Sequence, residues 1–194
     1  LAFVFGEPLG WAAESADAKR ATAGKGKQAR GAGGQWWQEI DTGPFLADTI
    51  TSGGSGAVVA LKGLAIRLGA RRTVTAVFDT ELLTWRAGFD GALVLAGTPW
   101  DGSNSGNSHY PAGGDIFYFQ NPTGLGFALN GSWQDTRGFK AGPLPKAVGR
   151  YLGLFRHGGQ TVVHYQIAGT RVLELPALEK VGEGQAITRT VNVE

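Results

Sequence analysis

From Trp36 onward, apolar and polar residues alternate in short runs, and Gly, Pro, Asn and Asp interrupt them every few positions. A period of two in runs rich in β-branched and aromatic residues is the signature of half-buried strands. The pattern predicts strands over Phe45–Ile50, Val58–Leu68, Thr73–Asp79, Leu83–Ala87, Ala92–Ala96 and Ile116–Phe119. It predicts four more over Tyr151–Arg156, Thr161–Ile167, Thr170–Leu175 and Ile187–Val193. Helical periodicity is confined to Leu175–Val181 and Glu81–Trp85, each long enough for a turn or two. The clearest local signal is the stretch YLGLFRHGGQTVVHYQIAGTRVLEL, in which Gly158-Gly159 and Ala168-Gly169 supply the positive φ that tight hairpins require. It reads as a three-stranded antiparallel meander. Val163, Tyr165 and Ile167 share one face, and Val162, His164 and Gln166 the other. The fold class expected is all-β: an antiparallel β-sandwich, jelly-roll or lectin-like, closed by that C-terminal meander. Glycine at 32 of 194 positions suits a fold with many tight turns.

The first 35 residues have a different texture. Residues 1–12, LAFVFGEPLGWA, read as the closing part of a secretory signal peptide: a short apolar run, then small residues at Gly10 and Ala12. Residues 13–35 are a Lys/Ala/Gly mixture that cannot bury enough apolar area to offset the entropy of ordering it, so a flexible linker is expected there. Gly24-Lys25-Gly26-Lys27-Gln28-Ala29 spells a G-x-G-x-x-A pattern, but lacks the preceding strand and following helix of a phosphate cradle. Residues 36–194 are then expected to form one β-sandwich domain, a fragment of a larger exported protein of the periplasm or cell surface, with no membrane span expected in the mature chain.

Charge removes one class of function. From Gln35 onward there are thirteen basic and thirteen acidic residues, so the isoelectric point near 9.0 belongs to the leader rather than to a basic face. Nucleic acid is not an expected partner. The absence of cysteine excludes disulfides and thiolate metal sites within the stretch.

Candidate chemistry concentrates in residues 97–115, GTPWDGSNSGNSHYPAGGD, an irregular connection of a length that usually carries function. It holds Trp100, Asp101, Asn104, His109 and Tyr110. Asp101 to Gly106 resembles the opening of a calcium loop, but Ala112 stands where a bidentate Glu is needed, so no metal is assigned. Aromatic rings stack on the apolar faces of sugars while amides and carboxylates take hydroxyls. On that chemistry Trp100, Asp101, Asn104, His109, Tyr110 and Trp133 form the candidate ligand-binding set. No G-x-S-x-G or H-E-x-x-H motif is present. His157 and His164 fall on opposite sides of the Gly158-Gly159 turn, with His164 facing residue 153, too far apart to share a site. Asp79 and Glu81, two apart, suit acid/base work only if the strand continues, and read more simply as strand-end charges. The expectation is therefore a non-catalytic module without cofactor, binding a polysaccharide. The alternative is a structural domain docking against other regions of the same protein.

The order of several short motifs also resembles a known family. These are Asp41-Thr-Gly-Pro44-Phe45, Lys62-Gly-Leu-Ala-Ile-Arg67-Leu-Gly69, Val77-Phe78-Asp79-Thr80-Glu-Leu-Leu83, Gly97-Thr-Pro-Trp-Asp101-Gly102, Gly142-Pro-Leu-Pro145 and Tyr151-Leu-Gly-Leu154. Together they are similar to an uncharacterised β-rich domain near the N-terminus of exported planctomycete and verrucomicrobial proteins, over about residues 36–194. The resemblance implies partners within the same chain: β-propeller dehydrogenase-like, haem-binding or c-type cytochrome regions. It carries over no functional residues.

Overall fold

The computed structural model describes residues 41–52, 57–95, 108–111, 118–121, 124–138 and 142–194. The leader, the Trp36-Trp37 pair and most of 97–115 lie outside the described residues. Eleven strands follow in chain order: β1 (Phe45–Thr51), β2 (Val58–Leu68), β3 (Val74–Asp79), β4 (Thr84–Asp90), β5 (Leu93–Leu95) and β6 (Ser108–Pro111). They continue with β7 (Phe119–Gln120), β8 (Gly149–His157), β9 (Gln160–Ile167), β10 (Thr170–Val181) and β11 (Gly184–Val193). Among the described residues there is no helix, and hence none long and apolar enough to cross a membrane.

The first sheet has the order β5-β6-β1-β2-β3-β4-β7 and the second β11-β10-β9-β8. In the first, β1, β2, β3, β4 and β7 pair antiparallel throughout. At the β1 edge, β6 joins in parallel, with Thr49 opposite Ser108 and Ile50 opposite His109, and β5 pairs antiparallel beyond it. The fold is all-β and antiparallel as expected, and β1 with β6 is a parallel pairing at its edge. β6 lies inside the segment read from sequence as irregular; four residues ending in Pro111, between Gly- and Asn-rich stretches, carry too little alternation to announce a strand.

The second sheet is an uninterrupted meander. Its β8, β9 and β10 are the three strands expected, with His157 opposite Gln160 and Gly153 opposite His164. A fourth strand extends it, β11, paired along all of Val172–Val181. The expected helical turn at Leu175–Val181 is therefore overturned, because those residues complete β10. Likewise Glu81–Leu83 form the β3–β4 turn rather than a helix. Pro176 is tolerated in β10 because it lies beyond Glu174, the last residue paired with β9, where a missing N–H takes nothing from that ladder.

The two sheets pack face to face. Leu64, Ile66 and Leu68 of β2, Val74, Ala76 and Phe78 of β3, and Trp85 of β4 meet Val163, Tyr165 and Val172 of the second sheet in one buried cluster. Phe78 is its centre, with ring centroids 5.1 Å from Trp85 and 5.5 Å from Tyr165. On the second sheet the expected alternation holds, with Thr161, Val163 and Tyr165 buried and Val162, His164 and Gln166 half-buried. The first sheet departs from it: every residue of β3 and all of Thr84–Phe89 are buried. A second cluster of Ile50, Ala60, Ala65, Val77, Ala87 and Phe89, with Val59 and Leu93 against it, covers the opposite face. The central strands are thus apolar on both sides, which a period-two reading does not detect.

Candidate functional site

A cleft of the described residues is built at the margin where β4, β7 and β11 meet the irregular segment 124–138. The β3–β4 hairpin sets the frame. Asp79 accepts the backbone N–H groups of Glu81 and Leu82 on Oδ1, at 2.9 and 3.1 Å, and caps the turn. Its Oδ2 takes Nε of Arg86 at 3.2 Å, both side chains being buried. Arg86 lies in a bulge, where the β3 register slips between Val77 and Phe78. Asp79 and Glu81 therefore do not form an acid/base pair across a pocket; one is a buried turn cap and the other a neighbour whose N–H it holds.

The bulge leaves Trp85 facing the second sheet. Its Nε1 donates to Glu174 Oε2 at 2.6 Å, while Arg189 Nη1 donates to Oε1 at 3.3 Å. Tyr165 lies close to the same carboxylate, and its pKa is raised, first by burial and then by the Glu174 charge. Glu174, 3% exposed, thus ties β4 to β10 and β11 across the sandwich. A carboxylate so fully engaged holds the sheets in register and orients Arg189.

Residues 124–138 present the outer wall. Leu125 is buried in the core, and its N–H donates to the Trp133 carbonyl at 2.9 Å. Between them Leu129 and Ser132 exchange two backbone hydrogen bonds around Asn130-Gly131, whose φ values are +51° and +78°. Two consecutive positive φ values are the type I′ turn that Asn-Gly favours. This small hairpin leaves the Trp133 side chain 61% exposed at the rim. The cleft it overlooks has a volume of about 350 Å3, and its lining includes Trp85, Asn121, Gln134, Ile187 and Arg189. The Asn121 amide is fixed by donating from Nδ2 to the Trp85 carbonyl at 2.9 Å.

Among the described residues, the sequence-derived candidate Trp133 is placed at this cleft. Trp100, Asp101 and Asn104 lie outside the described residues, as does the calcium-like loop. His109 and Tyr110 belong to β6 by backbone pairing, and their side chains lie outside the described residues. The sheet keeps His157 and His164 apart, and the His164 ring packs on Phe155 at 5.3 Å. Among the described residues no cluster of His, Asp and Glu could hold a metal ion. Reading the sequence missed Trp85, Glu174, Asn121, Gln134 and Arg189. The usable signal was Asn130-Gly131, an I′ hairpin three residues before Trp133.

Residues 76–174, from β3 into β10, match the model of a family described as a domain of unknown function (DUF6797). No curated protein and no solved structure matches the chain.

Proposed function

The chain belongs to the DUF6797 family, and on that premise we propose that it is a non-catalytic module of a larger exported protein that binds an extracellular glycan in the cleft beneath Trp133. The observation that carries this reading is the exposed Trp133 indole, held on a core-anchored hairpin beside fixed polar groups. A flat aromatic next to amide and guanidinium donors matches a sugar, apolar on its faces and hydroxylated at its edges. The cleft volume falls within the range of small-ligand sites. In proteins of the kind this sequence resembles, the neighbouring regions would be β-propeller or haem-binding, and the module would hold them to a polysaccharide outside the cytoplasm.

The test is affinity electrophoresis of the chain against a broad set of soluble polysaccharides, followed by calorimetry on any that retard it. Trp133→Ala is expected to weaken binding at least tenfold while leaving the circular dichroism spectrum intact. Retardation by no polysaccharide, or unchanged affinity in the variant, refutes the reading.

A second reading rests on Phe155, which is 54% exposed on the outward face of the second sheet, with Leu152 also exposed. Such a face suits docking against a haem-binding or propeller region of the same protein. Hydrogen exchange separates the two, since a docked domain protects β8 and β9 whereas a glycan protects the 124–138 hairpin.

A further inference from the structure

A second cavity, of about 320 Å3, opens between the sheets and shares no lining residue with the Trp133 cleft. Arg67, Gly69 and Arg72 line it from β2 and the β2–β3 turn, Gln160 and Thr161 from β9, and Leu178 from β10. Three independent observations mark it as more than a packing defect.

Thr161 faces inward at 2% exposure, and its Oγ1 is buried without a hydrogen-bond partner. Native structures seldom leave a hydroxyl in that state, because nothing replaces the water it gave up. Two guanidinium groups share the wall. Arg67 donates Nε to the Arg72 carbonyl at 3.0 Å and one terminal nitrogen to the same oxygen, and its other terminal nitrogen is not used in those bonds. Among the described residues they face Asp41, which lies 3.7 Å from Arg72 Nη1 in a contact exposed on both sides and screened by solvent. Burial lowers the Arg67 pKa, Asp41 acts against that, and Arg72 lowers it further. Finally, Arg72 itself has φ +53°, a left-handed conformation that non-glycine residues seldom adopt and that recurs at ligand clamps. The Arg67 bonds to its carbonyl hold it there.

We propose that this cavity is an oxyanion site, in which Arg67 and Arg72 supply charge and forked donors, and Gln160 and Thr161 supply neutral donors, to a phosphate, sulfate or carboxylate group. Guanidinium groups match the geometry of such oxygens, and a hydroxyl that can turn its proton toward the anion becomes satisfied on binding. An anion there also offsets the repulsion between the two arginines. The inference is independent of glycan binding, since Trp133→Ala leaves this cavity untouched.

The test is a 15N NMR titration of the full chain with inorganic phosphate, inorganic sulfate and glucuronate in turn, with sodium chloride keeping ionic strength constant. At least one of the three is expected to produce saturable shifts at the amides of Gln160, Thr161 and Arg72, and the tightest identifies the source of the oxyanion. Arg72→Gln is expected to weaken that binding at least tenfold. Thr161→Val, which keeps shape and removes only the orphaned hydroxyl, is expected to weaken it about fivefold with an unchanged or raised Tm. If Arg72→Gln does not fold, Thr161→Val decides alone. Shifts that do not saturate, that chloride reproduces, or that survive in Thr161→Val with unchanged affinity overturn the proposal.

Discussion

At the scale of single residues, the molecule turns on a buried carboxylate. Glu174 receives Trp85 from one sheet and Arg189 from the other, with its charge close to Tyr165. Removing one partner from a buried ion pair costs about 3–5 kcal/mol, because the remaining charge is left without compensation. That penalty makes Glu174 a registration pin between sheets. Tyr165 reports on the same place. Its folded pKa lies above the ordinary tyrosine value of about 10, so the folded state holds that proton more tightly than the unfolded chain does. The stability this gives is complete below about pH 10 and is lost as pH rises through the folded pKa. Urea midpoints followed from pH 8 to 12 are expected to fall more steeply above about pH 10 in the parent than in Tyr165→Phe. Some decline persists in the variant, because burial also raises the Tyr151 pKa. Identical slopes would show that the Tyr165 hydroxyl is not held as described.

At the scale of elements, much of the second sheet was legible and much of the cleft was not. β2 spans the residues its alternation indicated, and the pairing of His164 with Gly153 follows from the Gly158-Gly159 turn alone. The C-terminal half of β10 was misread because Leu175, Leu178 and Val181 are spaced like one face of a helix, while the partner that makes them a strand, β11, comes later in the chain. Glu174 sits between Leu173 and Leu175, so apolar neighbours suggest an outward acid; the register instead turns it inward opposite Val163. Only the assembled sheets reveal the donors waiting for it. The 124–138 segment escaped notice because it holds no run of alternation, only turn chemistry.

That segment depends on one close approach. A Cβ added at Gly126 would stand 1.7 Å from the Leu83 carbonyl oxygen, a backbone atom that cannot turn aside. Gly126→Ala is therefore expected to cost about 3 kcal/mol through backbone displacement. Gly138→Ala, with nothing within 4 Å of its added Cβ, is the control and is expected to stay within about 0.5 kcal/mol of the parent. Chemical denaturation of both variants checks this, and equal costs would contradict the close packing of 124–138 on the β3–β4 turn.

At the scale of the whole molecule, the two sheets divide the work. The first, apolar on both faces through β3 and β4, is the rigid layer. The second covers one side of it and leaves the cleft at the β4, β7 and β11 margin. Under the proposed glycan reading this backing favours binding, since a core-anchored hairpin and the fixed Asn121 amide would lose little entropy when a ligand arrives. The most direct measurement is chemical-shift mapping of the full chain with an oligosaccharide cut from the tightest-binding polysaccharide. Shifts are expected at the indole N–H groups of Trp133 and Trp85, the side-chain amides of Asn121 and Gln134, and the Arg189 guanidinium. Shifts confined to the outward face of β8 and β9, or absent from all five groups at saturating ligand, would contradict binding between the sheets.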